Sequence, residues 1–484
     1  MIDISQVERH PDYQSTASLD ELRKSEYPTL DAQDQVYLDY TGAGLFAQSQ
    51  VAAHAGLLER HILGNPHSAS LSSSASTALV EGARRAVLAY FNAADDYVAV
   101  FTLNATAALK LVGESYAFGP GGRLALTFDN HNSVNGIREF AIARGAVVEY
   151  VPLTVPDLRI DLDRLTVALD RADRPQFNLF AYPAQSNFSG VQHPLDLIDL
   201  AHAKGWDVLL DAAAFVPTNR LDLGRVKPDF VTISFYKMFG YPTGVGCLLL
   251  RQSALTRLHR PWFAGGTVNF ATVQGQVHIL SPREAGFEDG TLNFLSIPAV
   301  EIGLAHLQRV GLETIHRRVT SLMEWLLAAL LDLRHGNGRH MVRIYGPTTT
   351  AMRGGTITFN CYDPDGHLID YRRVEELAGA QNISLRTGCF CNPGAGELAE
   401  GLTEADMREA AGAGEMNLPK FVQFMQHRGG KSAGAIRASL GIVSNARDVE
   451  RFVRFVASLR DQTRMTLGEV TFDIESCRII RDGS

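Results

Sequence analysis

A lysine and an aspartate follow two apolar segments of the chain and could together hold an aldehyde cofactor. Asp211 ends the segment WDVLLD, and Lys237 ends the segment DFVTISFYK. If both segments are parallel strands, both side chains emerge at the carboxyl edge of the sheet, where ligands bind. A lysine can form a Schiff base with pyridoxal phosphate, and a carboxylate can keep its pyridine nitrogen protonated. The alternative is a surface lysine and an ordinary strand-end acid, and this pair alone does not decide between them.

Polar residues near other strand ends would complete such a site. Ala105 and Thr106 lie between a predicted strand and a predicted helix, where backbone N–H groups and a hydroxyl can bind a phosphate. Thr106 could instead be only a helix cap. Ser234 offers a second hydroxyl, and His131 could stack on the pyridine ring, although a lone histidine is more often a loop residue. Together these residues favour pyridoxal phosphate.

The cysteines raise the question of a reactive thiol. There are five, Cys247, Cys361, Cys389, Cys391 and Cys477. An odd number scattered along a long chain does not indicate a disulfide framework. Cys389 and Cys391 are close together, but no second pair completes a zinc site, so no metal is expected. Each cysteine could otherwise be a small buried hydrophobic residue.

Composition indicates a soluble enzyme with a small-molecule substrate. The chain has 484 residues, 45% of them hydrophobic and 20% charged, with a net charge of −8. This length exceeds a single core and predicts two domains. The acidic balance argues against a nucleic-acid partner. No apolar run is long enough for a bilayer, and the N-terminus lacks the basic start and apolar stretch of a signal peptide, so a cytoplasmic location is expected.

Short β-rich runs alternate with helical stretches in the first part of the chain, which predicts an α/β fold with a mostly parallel sheet. The predicted strands are Val98–Leu103, Arg123–Thr127, Val147–Val151, Phe177–Tyr182, Asp207–Asp211, Phe230–Phe235 and Gly246–Leu250. A helix-rich segment, Ile297–Leu333, then leads into a smaller α/β region with predicted strands Gly355–Asn360 and Ala435–Ser439. We therefore predict an N-terminal segment (1–36) that packs on the small domain, a large domain (37–295), and a small domain (296–484) with an insertion near 394–434.

Nine collinear segments carry a resemblance to a known family. They run from about Tyr37 to about Leu459 and read VYLDYTGAG, LGNPHS, VEGARRAVLAYFNA, TLNATAALKLV, YPAQSNFSGVQ, VLLDAAAFV, DFVTISFYKMFGYPTGVG, FEDGTLNFLSIPA and RTGCFCNPGA. The chain resembles the class V aminotransferase-fold enzymes, which are fold type I pyridoxal-phosphate enzymes, and within them the cysteine desulfurases. It is most similar to the amino-terminal desulfurase domain of molybdenum cofactor sulfurases. The resemblance implies a seven-stranded large domain with a smaller carboxyl-terminal domain.

The resemblance also implies a role for each matching residue. Lys237 would be the Schiff-base lysine and proton shuttle, Asp211 the partner of the pyridine nitrogen, and His131 the ring-stacking residue. Thr106, Ser234 and the Ala105 amide would bind the phosphate, and Tyr236 stands where many desulfurases have a phosphate-binding histidine. Asn187 would contact the phenolic oxygen and the substrate, and Arg437 would bind the substrate carboxylate. In a homodimer, Thr267 would contact the phosphate bound by the partner subunit.

The resemblance places the nucleophile at Cys391, in the motif RTGCFC. Its thiolate would attack the sulfur of the L-cysteine adduct, leaving alanine and an enzyme persulfide. Arg386, a further substrate-binding residue, could favour the thiolate form. Cys389 is a rival for this role, a relay or a bystander.

Departures from the family pattern leave the reaction and its acceptor open. Ala214 stands where many relatives have a glutamine that contacts the phenolic oxygen, Tyr40 replaces a histidine, and Gly396 stands where plant and animal sulfurases have a further cysteine. Only a short segment follows the closing helix, so sulfur would pass to a separate acceptor protein. The leading hypothesis is a cysteine desulfurase. The alternatives are a class V enzyme for another amino-acid reaction (C–S or C–N lysis, epimerisation or cyclisation) and a non-enzymatic scaffold, which the retained Lys237 and Asp211 disfavour.

Overall fold

The computed structural model of the chain describes residues 4–66, 68–172, 176–412, 432, 434–463, 470–473 and 478–481. In chain order, the described strands are β1 (Val36–Tyr37), β2 (Tyr97–Thr102), β3 (Arg123–Thr127), β4 (Val147–Val151), β5 (Leu153–Thr154), β6 (Arg159–Ile160), β7 (Asn178–Pro183), β8 (Asp207–Asp211), β9 (Phe230–Ser234), β10 (Gly246–Arg251), β11 (Val268–Ala271), β12 (His278–Leu280), β13 (Val342–Tyr345), β14 (Thr356–Cys361), β15 (Ile383–Ser384), β16 (Arg386–Gly388), β17 (Ala435–Ser439), β18 (Val470–Asp473) and β19 (Arg478–Arg481).

Helices pack against the strands of both sheets. The described α-helices are α1 (Ile4–Arg9), α2 (Pro11–Gln14), α3 (Ser18–Glu26), α4 (Pro28–Ala32), α5 (Gln48–Arg60), α6 (Leu71–Tyr90), α7 (Ala105–Ser115), α8 (Asn132–Asn135), α9 (Ile137–Ala143), α10 (Leu162–Leu169), α11 (Leu197–Ala203), α12 (Phe235–Phe239), α13 (Pro298–Val310), α14 (Leu312–Asp332), α15 (Tyr371–Gly379), α16 (Pro393–Glu400), α17 (Glu404–Gly412) and α18 (Ala446–Ser458). None of these helices is long and apolar enough to cross a membrane.

The larger sheet has seven strands in the order β2-β10-β9-β8-β7-β3-β4. All run parallel except β10, which is antiparallel to both of its neighbours. The residues of β2, β7, β9 and β10 are almost all buried, as expected for a parallel sheet covered by helices on both faces. The predicted mostly parallel, seven-stranded α/β sheet is confirmed. Its parallel strands all end at one edge, where loops can build a site.

The sequence analysis predicted that Lys237 lies at the end of a strand, but the structure places it outside the strand. β9 ends at Ser234, and Lys237 lies in the single helical turn α12. That turn ends at Gly240, whose φ of 76° lies in the left-handed region. A Cβ at Gly240 would also come within 2.4 Å of the Leu45 carbonyl carbon, so glycine is required here. The turn places Lys237 beside the carboxyl edge of the larger sheet.

The smaller sheet is antiparallel, with the order β13-β14-β17-β16. It confirms the two strands that the sequence predicts near 355–360 and 435–439. Arg386 and Arg437 are directly paired across β16 and β17. The first part of the predicted insertion forms α16 and α17, and most of it beyond residue 412 lies outside the described residues. The domain boundaries near 36 and 295 stay a prediction.

Buried ion pairs join the N-terminal helices to the later part of the chain. Arg23 of α3 donates to both carboxylate oxygens of Asp448 in α18, at 2.6 and 3.1 Å. Arg318 of α14, fully buried, donates to both oxygens of Asp20 at 2.8 Å. Removing one partner of such a pair leaves a buried, uncompensated charge. These contacts hold the N-terminal helices against α14 and α18.

Candidate functional site

A cavity of about 550 Å³ opens at the carboxyl edge of the larger sheet. The ends of β2, β7, β8 and β9 and the start of β10 meet there. The cavity brings together most of the residues predicted from the sequence, namely Ala105, Thr106, His131, Asn187, Asp211, Ser234, Tyr236 and Lys237. A single cavity with this mixture of charged, hydroxyl and aromatic groups is the chain's candidate active site.

Two charged groups of the cavity are the Lys237 amine and the Asp211 carboxylate. The pKa of the Lys237 amine is lowered by burial, although the negative charge of Asp211 opposes that effect. A lowered pKa increases the share of neutral amine, which is the form that reacts with an aldehyde. Asp211 Oδ1 accepts hydrogen bonds from the Ala213 N–H (3.1 Å) and from the Thr232 hydroxyl (3.3 Å). Its Oδ2 has no partner among the described residues and can face a cationic ring nitrogen.

His131 is held by its own helix. Its Nδ1 accepts a hydrogen bond from the Ser133 N–H at 3.1 Å, which makes it the N-cap of α8. The pKa of His131 is lowered mainly by burial, with the positive charge of Lys237 acting in the same direction. Both effects favour a neutral imidazole. A neutral, fixed ring on the cavity wall suits stacking on a flat cofactor.

Hydroxyl groups and the start of α7 form one end of the cavity. Asn104, not Thr106, caps α7, because Asn104 Oδ1 accepts from the Ala107 N–H at 2.9 Å. The Thr106 hydroxyl instead lies 2.8 Å from that of Ser133. The Ala105 N–H points at the Ser234 hydroxyl (3.4 Å). Three hydroxyls at a helix N-terminus suit a phosphate. The sequence analysis missed Ser133, although the segment HNS beside His131 contains it.

Thr267 is not part of this cavity. Its hydroxyl accepts from the Ala264 N–H at 2.8 Å and donates to the Ala264 carbonyl at 2.9 Å. The residue is fully buried. Within one chain its hydrogen bonds are therefore satisfied, and contact with the phosphate of a second subunit stays a prediction.

Two arginines and an aspartate form a wall beside the cavity. Arg437, which is 4% exposed, donates through Nη1 to the Asn187 carbonyl (3.1 Å) and through Nη2 to Asp39 Oδ1 (2.9 Å). Its Nε is buried and has no partner among the described residues. Arg386 donates to Asp39 Oδ2 at 2.8 Å. An unsatisfied guanidinium N–H can bind a carboxylate. Asp39 was not predicted, although it lies in the quoted segment LDYTGAG.

The loop that carries Cys391 is fixed over the cavity by amide hydrogen bonds. The Asn132 N–H donates to the Cys391 carbonyl at 2.7 Å. Asn187 Nδ2 donates to the Phe390 carbonyl at 2.8 Å, and Asn392 Nδ2 donates to Asn187 Oδ1 at 2.9 Å. Both polar atoms of the Asn187 side chain are thus committed to the loop. Asn187 lines the cavity as predicted, but its predicted contact with the phenolic oxygen competes with this docking.

The backbone of this loop is strained. Phe390 and Cys391 have φ values of 56° and 54°, in the left-handed region that non-glycine residues rarely adopt. The Phe390 ring lies over the Arg437 guanidinium, with its centroid 4.8 Å from Cζ. The side chain of Cys391 is exposed on this strained segment.

The thiol of Cys391 is not activated in this state. Although Cys391 is partly exposed to solvent, desolvation by the surrounding protein raises the pKa of its thiol, and the neighbouring Cys389 adds to that rise. The positive charges of Lys237, Arg437 and Arg386 lower the pKa but do not prevail. The prediction that Arg386 could favour the thiolate agrees with the direction in which Arg386 acts on this pKa, although desolvation has the larger effect. The thiol must therefore lose a proton during any reaction in which it attacks.

Gly394 allows the loop to dock. A Cβ at Gly394 would lie 2.0 Å from the Phe128 carbonyl oxygen, which is part of the backbone and cannot move away cheaply. We expect Gly394→Ala to displace the start of α16 and to lower stability by about 1–3 kcal/mol. Because Asn392 and Cys391 would move with α16, any activity that depends on Cys391 should fall more than ligand binding in the cavity does. Activity, ligand binding and the thermal unfolding midpoint measure the three effects separately.

Gly396 provides the matched control in the same helix. A Cβ there would meet only the edge of the Phe188 ring, at 3.8 Å. Gly396→Ala should therefore leave both turnover and stability nearly unchanged. Equal losses of activity and stability in the two variants would contradict the docking role of Gly394. They would indicate that α16 does not tolerate substitution at either position.

The residues present fit pyridoxal phosphate. The cavity offers an amine, a carboxylate with one free oxygen, a neutral imidazole and a hydroxyl-rich helix start, which match the aldehyde, pyridine nitrogen, ring face and phosphate of that cofactor. Ala214 lines the cavity and offers no polar side chain, as predicted. Gln185 lines the same cavity, with its Oε1 fixed by Gln192 Nε2 at 3.1 Å, and is a further polar residue that the sequence analysis missed.

The chain is similar in sequence to molybdenum cofactor sulfurases of plants and animals. The chain is 38% identical over 477 residues to a molybdenum cofactor sulfurase of Solanum lycopersicum, covering 92% of this chain and 57% of the relative. It is also 38% identical over 467 residues to a molybdenum cofactor sulfurase of Homo sapiens, covering 92% of this chain and 51% of the relative. The chain thus spans little more than half the length of these relatives.

Solved structures share the fold. A cysteine desulfurase from Thermococcus onnurineus NA1 superimposes with a TM-score of 0.74 at 22% identity, covering 91% of this chain and 97% of the other. A cysteine desulfurase from Escherichia coli gives a TM-score of 0.67 at 20% identity, with coverages of 95% and 98%. The aminotransferase class-V family matches residues 36–452, which is most of the chain. The chain therefore belongs to the class V aminotransferase family.

Proposed function

We propose that this chain is a pyridoxal-phosphate-dependent cysteine desulfurase that converts L-cysteine to L-alanine and transfers the sulfur through Cys391. The observation that carries the proposal is the docking of the Cys391 loop over a cavity that holds Lys237 and Asp211. The names of the relatives, molybdenum cofactor sulfurase and cysteine desulfurase, support the same reaction. A lyase without a sulfur-carrying thiol would not need a cysteine at this position.

Different residues of the cavity would bind different parts of the cofactor. Pyridoxal phosphate supplies an electron sink that weakens the bonds around the α-carbon of an amino acid. Lys237 would hold it covalently, Asp211 would face its ring nitrogen and His131 its ring. The hydroxyls of Thr106 and Ser234 would bind its phosphate beside the start of α7.

The wall of arginines would orient the substrate. Arg437 would bind the α-carboxylate, and its guanidinium group would be oriented by the hydrogen bonds that Nη1 donates to Asn187 and Nη2 donates to Asp39. The lowered pKa of Lys237 leaves Nζ able to take the α-proton and to return it. The substrate side chain then extends towards the loop that carries Cys391.

Sulfur transfer is a nucleophilic step at Cys391. After losing its proton, the Cys391 sulfur attacks the substrate sulfur, a sulfur–sulfur bond forms and the substrate Cβ–S bond breaks. The electron pair of the broken bond stays with the Cβ carbon, which is later protonated to give alanine. The persulfide remains on Cys391, whose exposed position suits delivery to an acceptor protein.

The proposal is tested by product analysis of the protein loaded with pyridoxal phosphate. L-cysteine with a reductant should give alanine and sulfide in equal amounts. Pyruvate with ammonia, or a racemised amino acid, would instead favour the alternative of another class V reaction. If neither cysteine nor a cysteine derivative yields alanine, the desulfurase proposal fails.

We also propose that the protein forms a homodimer. The hairpin of β11 and β12, next to Thr267, exposes large apolar side chains, among them Phe270 (52% exposed) and Ile279 (57%). Contiguous exposed apolar residues of this kind are typical of a protein–protein contact. The cytoplasmic location expected from the sequence stays a prediction.

A substitution in the hairpin tests the dimer. Phe270→Asp should convert the dimer to monomers, because a charge would be buried in the contact. Light scattering after size exclusion gives the mass directly. Ile142→Asp, at an equally exposed apolar residue of α9, is the control and should leave the mass unchanged. A monomeric wild-type protein would contradict the proposal.

A further inference from the structure

Asp129 and His193, which do not line the cavity, share a buried hydrogen bond, and we call them the buried pair. His193 Nε2 lies 2.8 Å from Asp129 Oδ2, and both side chains are 1% exposed. A carboxylate oxygen accepts, so the ring nitrogen donates. Asp129 Oδ1 is buried and has no partner among the described residues. Removing His193 would therefore leave this carboxylate buried without a described donor, which is unfavourable.

The buried pair joins two segments that carry residues of the cavity. Asp129 lies in the loop between β3 and α8, two positions before His131. His193 follows the turn after β7 that contains Asn187, and its own N–H donates to the Ala184 carbonyl at 3.1 Å. β3 and β7 are neighbouring parallel strands. The pair thus ties together the loops that follow two adjacent strands of the larger sheet.

The loop that carries Cys391 makes hydrogen bonds with both of these segments. In the first segment, the Asp129 carbonyl accepts from Asn392 Nδ2 at 2.7 Å. The Asn132 N–H of the same segment donates to the Cys391 carbonyl, also at 2.7 Å. In the second segment, Asn187 Nδ2 donates to the carbonyl of the residue before Cys391 at 2.8 Å. The loop therefore rests on two segments that the buried pair holds together.

The part of the first segment that faces the cavity is held by other contacts. Asn130 Nδ2 donates to a carbonyl of β3 at 3.0 Å and to a carbonyl of β7 at 2.9 Å. The His131 ring accepts from the Ser133 N–H at 3.1 Å. These contacts do not involve the buried pair. Its loss should consequently disturb the loop of Cys391 more than it disturbs the cavity.

We propose that Asp129 and His193 are positioning residues that keep the thiol of Cys391 aligned for sulfur transfer. They would act through the Asp129 carbonyl and through the turn that carries Asn187. The inference rests on the proposed function, because it requires a substrate bound in the cavity and a sulfur acceptor at Cys391. It adds that the sulfur step depends on the buried pair, whereas removal of the α-proton at Lys237 does not.

A second histidine–aspartate pair beside the larger sheet provides the matched control. His202 Nε2 lies 2.8 Å from Asp229 Oδ2, the same atoms and the same distance as in the buried pair. His202 belongs to α11, and Asp229 directly precedes β9 and also accepts from the Val208 N–H at 2.7 Å. Neither residue lines the cavity. His202→Ala thus removes the same kind of hydrogen bond at the edge where β8 and β9 begin.

The test compares two reactions of the protein loaded with pyridoxal phosphate. Exchange of the α-proton of L-alanine in deuterium oxide, followed by NMR, uses the cavity without the thiol. Formation of alanine from L-cysteine also needs Cys391. His193→Ala should lower the ratio of the second rate to the first by about tenfold or more, because small displacements of a reacting group have effects of this size. A purely structural role would lower both rates together and leave the ratio unchanged, which would overturn the proposal.

The accessibility of Cys391 gives a readout that needs no substrate. In His193→Ala the loop should undock, and alkylation of Cys391 by iodoacetamide at fixed pH should become several-fold faster, because the thiol loses the desolvation that raises its pKa. His202→Ala should leave this rate and the ratio of the two reactions within about twofold of wild type. His193→Gln keeps a donor near the position of Nε2 and should restore both towards wild type. Equal changes in His193→Ala and His202→Ala would contradict the proposal.

Asn392→Asp keeps the inference testable if His193→Ala does not fold. It leaves the buried pair intact but puts an oxygen in place of the amide N–H that donates to the Asp129 carbonyl, so it should lower the same ratio. An unchanged ratio in this variant would show that the carbonyl does not position the loop and would overturn the proposal. If the wild-type protein exchanges the α-proton but forms no alanine from cysteine, the proposed function fails, and the alkylation rates alone decide the inference. If the wild type carries out both reactions and the shifts are missing, only the role of the buried pair fails.

Discussion

Replacing Lys237 by alanine is expected to abolish turnover, by a factor on the order of 10³ or more. Lys237 Nζ is the amine with a lowered pKa in the cavity. In the proposed function it has two tasks, the covalent attachment of the cofactor and the movement of the α-proton. Loss of either task would already be severe. Borohydride reduction of the protein incubated with pyridoxal phosphate, followed by peptide mass spectrometry, should find the cofactor on Lys237 in the wild-type protein and on no peptide of the variant.

Lys227 is the control for this experiment. It forms an ion pair with Asp96, is about one-third exposed and does not line the cavity. Lys227→Ala should keep both the reduced adduct at Lys237 and the turnover. A Lys237→Ala protein that still binds the cofactor covalently after reduction would show that another amine holds it, and the assignment of the cavity would then have to change.

The larger sheet could be predicted from the sequence because its signals are local. Continuous apolar runs such as VAVFTL and DFVTIS are the pattern of strands buried on both faces, and helical stretches between them require parallel crossovers. Once the strands are parallel, Asp211 and Ser234 must lie at one edge. Much of the cofactor cavity thus follows from residue order alone.

The arginine wall and the docked loop could not be predicted in this way. Asp39 and Arg437 are 398 positions apart, and nothing near Asp39 in the sequence indicates which residue it meets. Lys237 was expected at a strand end, but the left-handed turn at Gly240 places it in a helix. The state of the Cys391 thiol depends on burial, which a motif does not contain. The arginine wall and the desolvation of the thiol depend on contacts between segments that are distant in the sequence.

Replacing Cys391 by alanine is expected to lower cysteine turnover at least about 10²-fold while cofactor binding stays intact. Cys391 makes its described hydrogen bond through its backbone carbonyl, which alanine retains, so the loop should stay docked. The release of alanine and sulfide measures the loss of turnover, and the visible absorbance of the bound cofactor measures the cofactor binding that is retained. Cys389→Ala is the comparison, and it should retain most of the turnover. If Cys389→Ala is the inactive variant, the nucleophile has been assigned to the wrong cysteine.

The pH dependence of the alkylation of Cys391 is a second, independent test of its assignment. Because desolvation and Cys389 raise the pKa of the Cys391 thiol, the rate of iodoacetamide alkylation should still be rising at pH values above the midpoint of an ordinary thiol. Removing Cys389 removes a neighbour that disfavours the negative charge, so Cys389→Ala should shift the alkylation profile to lower pH. Arg386→Gln removes a favourable positive charge and should shift it to higher pH. Unchanged profiles in both variants would mean that these neighbours do not act on the Cys391 thiol, and shifts in the opposite directions would contradict the assigned signs.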